Sequence, residues 1–183
     1  MSSAQLIESL QQSIDKIEAH SAQPEPDPQA HDPEYKQAKK RALNILSVRD
    51  YSVDELRKKL IAREHPEDAV ERVLAKLQRA GLLNDEEYAQ NYVRVHRQKR
   101  NLSTSALRRE LAKRGVADNH IRYALDQVED EHEVAFGVAL KKARSTVGLP
   151  RETRMRRILA MLARRGFPQS ISMDVTLRAL DET

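Results

Sequence analysis

Along most of this chain leucine, isoleucine and valine recur three and four residues apart rather than two, which predicts helices and no sheet. The stretch that shows the pattern best is Leu102 to Leu125, LSTSALRRELAKRGVADNHIRYAL. It predicts a short helix, a glycine stop and a second helix. Ser103 is placed to accept from a free amide of the first turn, and Leu102 with Leu107 forms a hydrophobic staple across it. Leu107 and Leu111 share one face, Gly115 suits the left-handed end of the helix, and Val116, Ile121 and Leu125 give the next helix its own apolar stripe.

The same pattern stands 51 residues earlier, where Leu102, Ser103, Leu107, Leu111, Arg114, Val116, Ile121 and Leu125 become Tyr51, Ser52, Leu56, Leu60, Arg63, His65, Val70 and Leu74. There Ser52 and Glu55 make a full capping box. It stands again 51 residues later, where Leu107, Leu111, Arg114, Gly115 and Val116 become Ile158, Leu162, Arg165, Gly166 and Phe167. Three copies of one helical unit predict a repeat protein. The expected organisation is an N-terminal arm over residues 1–33 and three-helix repeats over 34–83, 84–130 and 131–183.

The arm holds one amphipathic stretch, residues 3 to 20 with Leu6, Leu10, Ile14 and Ile17, then a linker containing Pro24, Pro26, Pro28 and Pro33. Repeated proline removes amide donors and favours an extended chain. Helices are then expected at about Ala38–Val48, Ser52–Arg63, Pro66–Ala80, Asp85–Lys99, Ser103–Arg114, Asp118–Glu129, Glu133–Arg144, Arg151–Arg164 and Pro168–Leu180. Gly81 ends the third, and Asn84 with Glu87 starts the fourth. Position 154 is arginine where the other copies have serine, so that helix is expected to start nearer Pro150. Repeats of this size bury their apolar stripes against neighbours, so the expected fold is all-α, three tandem three-helix repeats stacked into an elongated, curved, solenoid-like body.

Composition narrows the functional classes. No run approaches eighteen apolar residues, so no membrane span is expected. No secretory pattern opens the chain, and with no cysteine there are no disulfides or thiolate metal sites; a cytoplasmic protein fits. The net charge of +4 is divided unevenly: residues 1–33 carry one base and six acids, −5, so the remainder carries +9. A basic helical body suits a polyanionic partner, or a protein bound to one.

Catalytic equipment is not evident. His20, His31, His65, His96, His120 and His132 show no metal-binding spacing, and no nucleophile elbow, phosphate-cradling loop or dinucleotide fingerprint occurs. The acidic run Asp85-Glu86-Glu87 reads as charge at a helix N-terminus rather than a magnesium cluster. The expectation is a non-enzyme with no cofactor and no metal.

Basic residues cluster instead on the middle helix of each repeat: Arg57, Lys58, Lys59 and Arg63; Arg108, Arg109, Lys113 and Arg114; Arg154, Arg156, Arg157, Arg164 and Arg165. Arg63, Arg114 and Arg165 are equivalent positions. A solvated face is the plain alternative, but these helices look short of the acids that a neutral surface would interleave. Only seven aromatic residues exist, mostly on expected inner faces, which disfavours a base-stacking platform. Contact with phosphates, or with a protein that coats DNA, remains.

These residues carry a family resemblance. From about Lys39 to Leu180 the chain resembles the RecX family, bacterial regulators of the RecA recombinase. Gly81-Leu-Leu-Asn-Asp-Glu-Glu-Tyr-Ala89 is similar to the family's repeat-boundary signature, and Leu107 to Val116 to its middle-helix pattern, with weaker forms at Leu56–His65 and Ile158–Phe167. Two departures stand out: Glu64 where the other copies have Gly115 and Gly166, and Arg100-Asn-Leu-Ser103, without the glycine that many members have there. The resemblance implies a monomer that binds the groove of the RecA filament on single-stranded DNA and restrains ATP hydrolysis, strand exchange and co-protease action. The middle-helix cations would then meet RecA or single- or double-stranded DNA. The alternatives are a general DNA-binding protein using the same surface without RecA, and a scaffold that acts through residues 3 to 20.

Overall fold

The computed structural model describes Glu8, Gln12, residues 32–126, Val128 and residues 130–183. Apart from Glu8 and Gln12, the expected arm helix at residues 3 to 20 lies outside them, as does the linker before Asp32. Among the described residues there are nine helices and no strand: α1 Pro33–Leu46, α2 Val53–Ile61, α3 Glu67–Arg79, α4 Asp85–Arg100, α5 Thr104–Lys113, α6 Asp118–Asp126, α7 Glu131–Arg144, α8 Arg151–Arg164 and α9 Gln169–Asp181. Two compact units are present. One holds the described residues up to Tyr88 with Arg114–Val116; the other holds Ala89–Lys113 with Ala117–Thr183.

In the first unit α1, α2 and α3 pack on one another around Leu43, Leu56, Leu60, Val70, Val73, Leu74 and Leu77. Leu56, Leu60, Val70 and Leu74 are the positions that the repeat pattern marks as apolar. In the second unit Leu107, Leu111 and Ile121 are buried, and α7, α8 and α9 enclose Phe136, Ile158, Leu162, Phe167, Val175 and Leu180.

Helix starts follow their capping chemistry. Ser52 Oγ accepts from the Glu55 amide at 3.1 Å, and Glu55 Oε2 accepts from the Ser52 amide at 3.4 Å, completing the expected box. Asn84 Oδ1 accepts from the Glu86 and Glu87 amides. The first helix begins five residues before the expected Ala38. Asp32 caps it by accepting from the Glu34 amide at 2.9 Å, and Pro33 fills its first turn, where the missing N–H costs nothing. Those two residues read as linker in the sequence because a fourth proline in a proline-rich run looks like more of the same.

One arrangement occurs twice, once inside each unit. In the first, Ser52 Oγ donates to the Arg114 carbonyl and the Val53 amide donates to Asp85 Oδ1 at 2.9 Å. In the second, the Ser103 amide donates to the Arg165 carbonyl at 3.0 Å, Ser105 Oγ donates to the Gly166 carbonyl at 2.8 Å, and the Thr104 amide donates to Glu131 Oε1 at 2.8 Å. The start of a middle helix thus receives the glycine turn that ends another middle helix, and an acid from a first helix takes a free amide. These amides have no partner within their own helix, so the bonds satisfy groups that would otherwise be orphaned. Asp85, charge at a helix start by sequence, also serves as half of this seam.

The seam explains the glycines. Gly115 has φ +74°, and a Cβ there would lie 2.3 Å from Asp54 Cβ. Gly166 has φ +83°, and its Cβ would lie 2.8 Å from Ala106 Cβ and Ser103 Oγ. Glu64, the equivalent position in the first copy, keeps the left-handed turn at φ +63° but is exposed, so a side chain fits.

Candidate functional site

The thirteen cations expected on the middle helices fall into three physical classes. On α2 and just beyond it, two of the four are neutralised locally. Arg57 makes a two-pronged contact with Glu71 at 2.6 and 3.1 Å and stands 3.9 Å from Asp54, whose other oxygen lies 2.6 Å from Lys58. Lys59 sits over the Tyr51 ring at 5.4 Å. Arg63 is exposed and makes no ion pair among the described residues. The acids that sequence spacing did not pair with these bases come from the next helix, α3, and from the first turn of α2 itself.

The hydrogen bond from Arg57 holds the Glu71 carboxyl below the usual carboxylate range, and Arg72 does the same for Asp32. A carboxyl whose folded pKa lies below its unfolded one contributes stability fully above the unfolded value. That contribution is lost as pH falls through the folded value. The protein is therefore expected to lose stability to urea as pH drops from about 5 towards 3, and Glu71→Gln to show a smaller drop. Equal pH dependence in the two would contradict the pairing.

On α5 and at its end the cations are mixed. Arg108 pairs with Asp118 at 2.7 Å, and Arg114 lies 3.8 Å from Glu55. Glu55 also accepts from the Tyr88 hydroxyl at 3.0 Å, and burial together with the Glu55 charge pushes that phenol up to about 12. Lys113 is exposed, without an ion pair among the described residues. Arg109 is likewise exposed, and its guanidinium lies against the Gly166 turn.

On α8 Arg151 pairs with Asp181 at 2.6 Å, while the five expected cations make no ion pair among the described residues, and one of the five needs a correction. Arg154 is only 7% exposed; its guanidinium donates to the Ala143 carbonyl at 3.2 Å and to Thr183 Oγ1. It is a buried structural residue and leaves the surface set: the equivalent Ser52 and Ser103 are buried too, and because α8 starts one turn earlier, position 154 lies inside the helix and carries an inward-facing arginine in place of a capping serine. The expected start near Pro150 is what the structure has, with Pro150 in the N-cap position. Arg156, Arg157 and Arg164 are exposed and make no ion pair among the described residues, and no acid stands between residues 153 and 173. Arg165 is half-buried, with Nε donating to the Arg100 carbonyl at 3.1 Å. Of the middle-helix cations, those without an ion pair among the described residues therefore lie mostly on α5 and α8.

Further cations stand there that sequence reasoning misses. Lys99, Lys141 and Lys142 share a cleft of about 680 Å³ with Arg165, between α4, α7 and α8. The signal is present in the run Lys141-Lys142 and the basic end of α4, but both fall at helix C-termini, where bases are ordinary. Among the described residues no group of histidines and carboxylates could hold a metal ion, and no helix is long and apolar enough to cross a membrane.

Three family models match in series: the first three-helix domain of RecX over residues 38–77, the second over 84–125 and the third over 129–176. The regulatory protein RecX of Corynebacterium efficiens is 43% identical over 153 residues, covering 80% of this chain and 73% of that protein. The chain belongs to the RecX family. The regulatory protein RecX of Streptomyces coelicolor is 37% identical, covering 80% of this chain and 79% of its own. The crystal structure of RecX from Lactobacillus salivarius superposes with a TM-score of 0.70 at 26% identity, covering 82% of this chain and 98% of that one. A second RecX crystal structure gives 0.68 at 28% identity over 78% of this chain and 72% of that one. The RecX domains take in α2, α5 and α8, and with them every cation named above on the middle helices.

Proposed function

We propose that this chain is a non-enzymatic regulator of RecA, acting in the cytoplasm as a monomer. It binds in the groove of the RecA filament on single-stranded DNA and restrains ATP hydrolysis, strand exchange and co-protease action. The three repeats, taken as residues 34–83, 84–130 and 131–183, each contribute one basic middle helix. Their contributions are unequal: α8 leads through Arg156, Arg157 and Arg164, Arg63, Arg109 and Lys113 assist, and α2 adds little because Glu71 and Asp54 already balance Arg57 and Lys58.

The observation that carries this reading is the row of unpaired arginines on α8, in a chain of a regulatory family with no evident catalytic equipment. Arginines without a partner keep their full attraction for phosphates and carboxylates, and the helix fixes their backbone beforehand, so that binding has only the side chains left to order. Several weak contacts along a filament also add through effective concentration.

The deciding experiment is RecA-dependent ATP hydrolysis on single-stranded DNA with and without the full chain. Inhibition is expected at ratios below one chain per RecA protomer. Undiminished hydrolysis at equimolar ratio, with DNA binding retained, would favour a general DNA-binding protein in its place.

A further inference from the structure

Two clefts in the second unit adjoin. The first, of about 680 Å³, is the cationic one described above, with Lys99, Lys141, Lys142 and Arg165 on its walls. The second, of about 500 Å³, lies among α4, α6 and the start of α7, and is lined by Tyr123 with Asn91, Gln98 and Arg94. Asn101 and Val134 line both, so the two are halves of one track. Each has a volume in the range that accepts a small ligand, about 300–1,000 Å³.

The halves differ in chemistry. The cationic half carries four positive charges against one acid, Glu133, whose carboxylate is directed towards Arg178 at 4.0 Å. Arg165 is steadied by its bond to the Arg100 carbonyl, which leaves its terminal amino groups without a partner among the described residues. The floor is smooth at Gly137, a helix-interior glycine where an added Cβ would meet nothing within 4 Å. Glycine in the middle of a helix is unfavourable relative to alanine, and here it keeps the wall of the cleft open. The other half presents Tyr123, 50% exposed, beside amide side chains and the Arg94 guanidinium. A large aromatic ring left half in water next to amide donors and acceptors offers a face for stacking and edges for hydrogen bonding.

We infer that this track binds an unpaired polynucleotide strand, with phosphates in the cationic half and a base stacked on Tyr123. Cations that follow the backbone and an aromatic ring that takes a base are the two parts of sequence-tolerant single-strand recognition. A duplex keeps its bases stacked inside and offers none to Tyr123, so the second half favours the single strand. An acidic peptide would use only the cationic half. Strand binding here goes beyond regulation of RecA and does not depend on it: of these residues only Arg165 belongs to the basic middle-helix set.

The test is fluorescence anisotropy of a labelled oligothymidylate with the full chain and no RecA, with a hairpin duplex and polyglutamate as competitors. Tyr123→Ala is expected to weaken binding about 5- to 20-fold, and Tyr123→Phe to leave it unchanged. Lys141→Glu with Lys142→Glu is expected to weaken it more than about tenfold and to flatten the log-affinity against log-salt line by about 0.7 for each phosphate no longer neutralised. Gly137→Glu, at an open helical position, should weaken it while leaving the far-ultraviolet circular dichroism unchanged. The inference is overturned if Tyr123→Ala binds as the wild type does, or if polyglutamate competes as well as the strand. It is also overturned if reversal of Arg156, Arg157 and Arg164 abolishes strand binding while the cleft variants retain it.

Discussion

Gly115→Ala is expected to destabilise the protein by about 2–5 kcal/mol, the sum of a left-handed backbone strain and an overpacked contact. The new Cβ would stand 2.3 Å from Asp54 Cβ, an atom fixed to the first turn of α2 that cannot swing aside as a flexible side-chain end would. Relief requires the seam to open, which withdraws the Arg114 carbonyl from Ser52 and weakens the contact between Glu55 and Arg114. Two companion substitutions separate the strain from the clash. Gly81 has φ +68° but open space around its Cβ position, so Gly81→Ala is expected to cost only about 1 kcal/mol. Glu64 already bears the strain at φ +63°, so Glu64→Gly is expected to be neutral or stabilising by up to about 1 kcal/mol. Urea unfolding followed by circular dichroism ranks all three. A cost for Gly115→Ala no larger than that for Gly81→Ala would remove the seam as a source of stability.

Neutralising Arg156, Arg157 and Arg164 together with glutamine is expected to raise the concentration needed for half-inhibition of RecA-dependent ATP hydrolysis by about tenfold; reversing them to glutamate should raise it about 30- to 150-fold, corresponding to ~2–3 kcal/mol. These side chains are exposed and make no ion pair among the described residues, so removing their charge breaks no contact there. Arg57→Gln with Lys58→Gln removes two charges from the equivalent helix of the first repeat. There a change below about threefold is expected, because Glu71 and Asp54 have already spent those charges within the fold. Identical losses from the two sets would show that charge count, and not its local balance, governs the inhibition. No loss from either would place the regulatory contact on another surface.

The contrast between α2 and α8 marks where sequence reasoning reaches its limit. On paper the three middle helices are equally basic, and their common spacing makes Arg63, Arg114 and Arg165 look alike. Folded, Arg63 is free in solvent, Arg114 faces Glu55 and Arg165 is tied to a backbone carbonyl. Arg154 sits in the core. Asp54 lies three and four residues from Arg57 and Lys58, within helical reach, but Glu71 lies 14 residues from Arg57 and Glu55 59 from Arg114, outside any window that helical periodicity can read. Tyr123 escapes notice in the same way: its place in a cleft depends on α4, α6 and α7 packing together, which no local spacing shows.

What the sequence determined by itself was whatever depends on near neighbours along the chain. Capping at Ser52, Ser103 and Asn84, the glycine stops and the apolar stripes involve residues within about five positions of one another, so they are written locally, and the 51-residue recurrence made the three-helix unit legible three times. The tertiary structure alone decided which carbonyl each serine meets, why Gly115 and Gly166 must be glycine while Glu64 need not be, and which cations keep their charge free for a partner. Those outcomes depend on groups brought together from distant parts of the chain, and the distance and burial that set their electrostatics do not exist until the helices have packed.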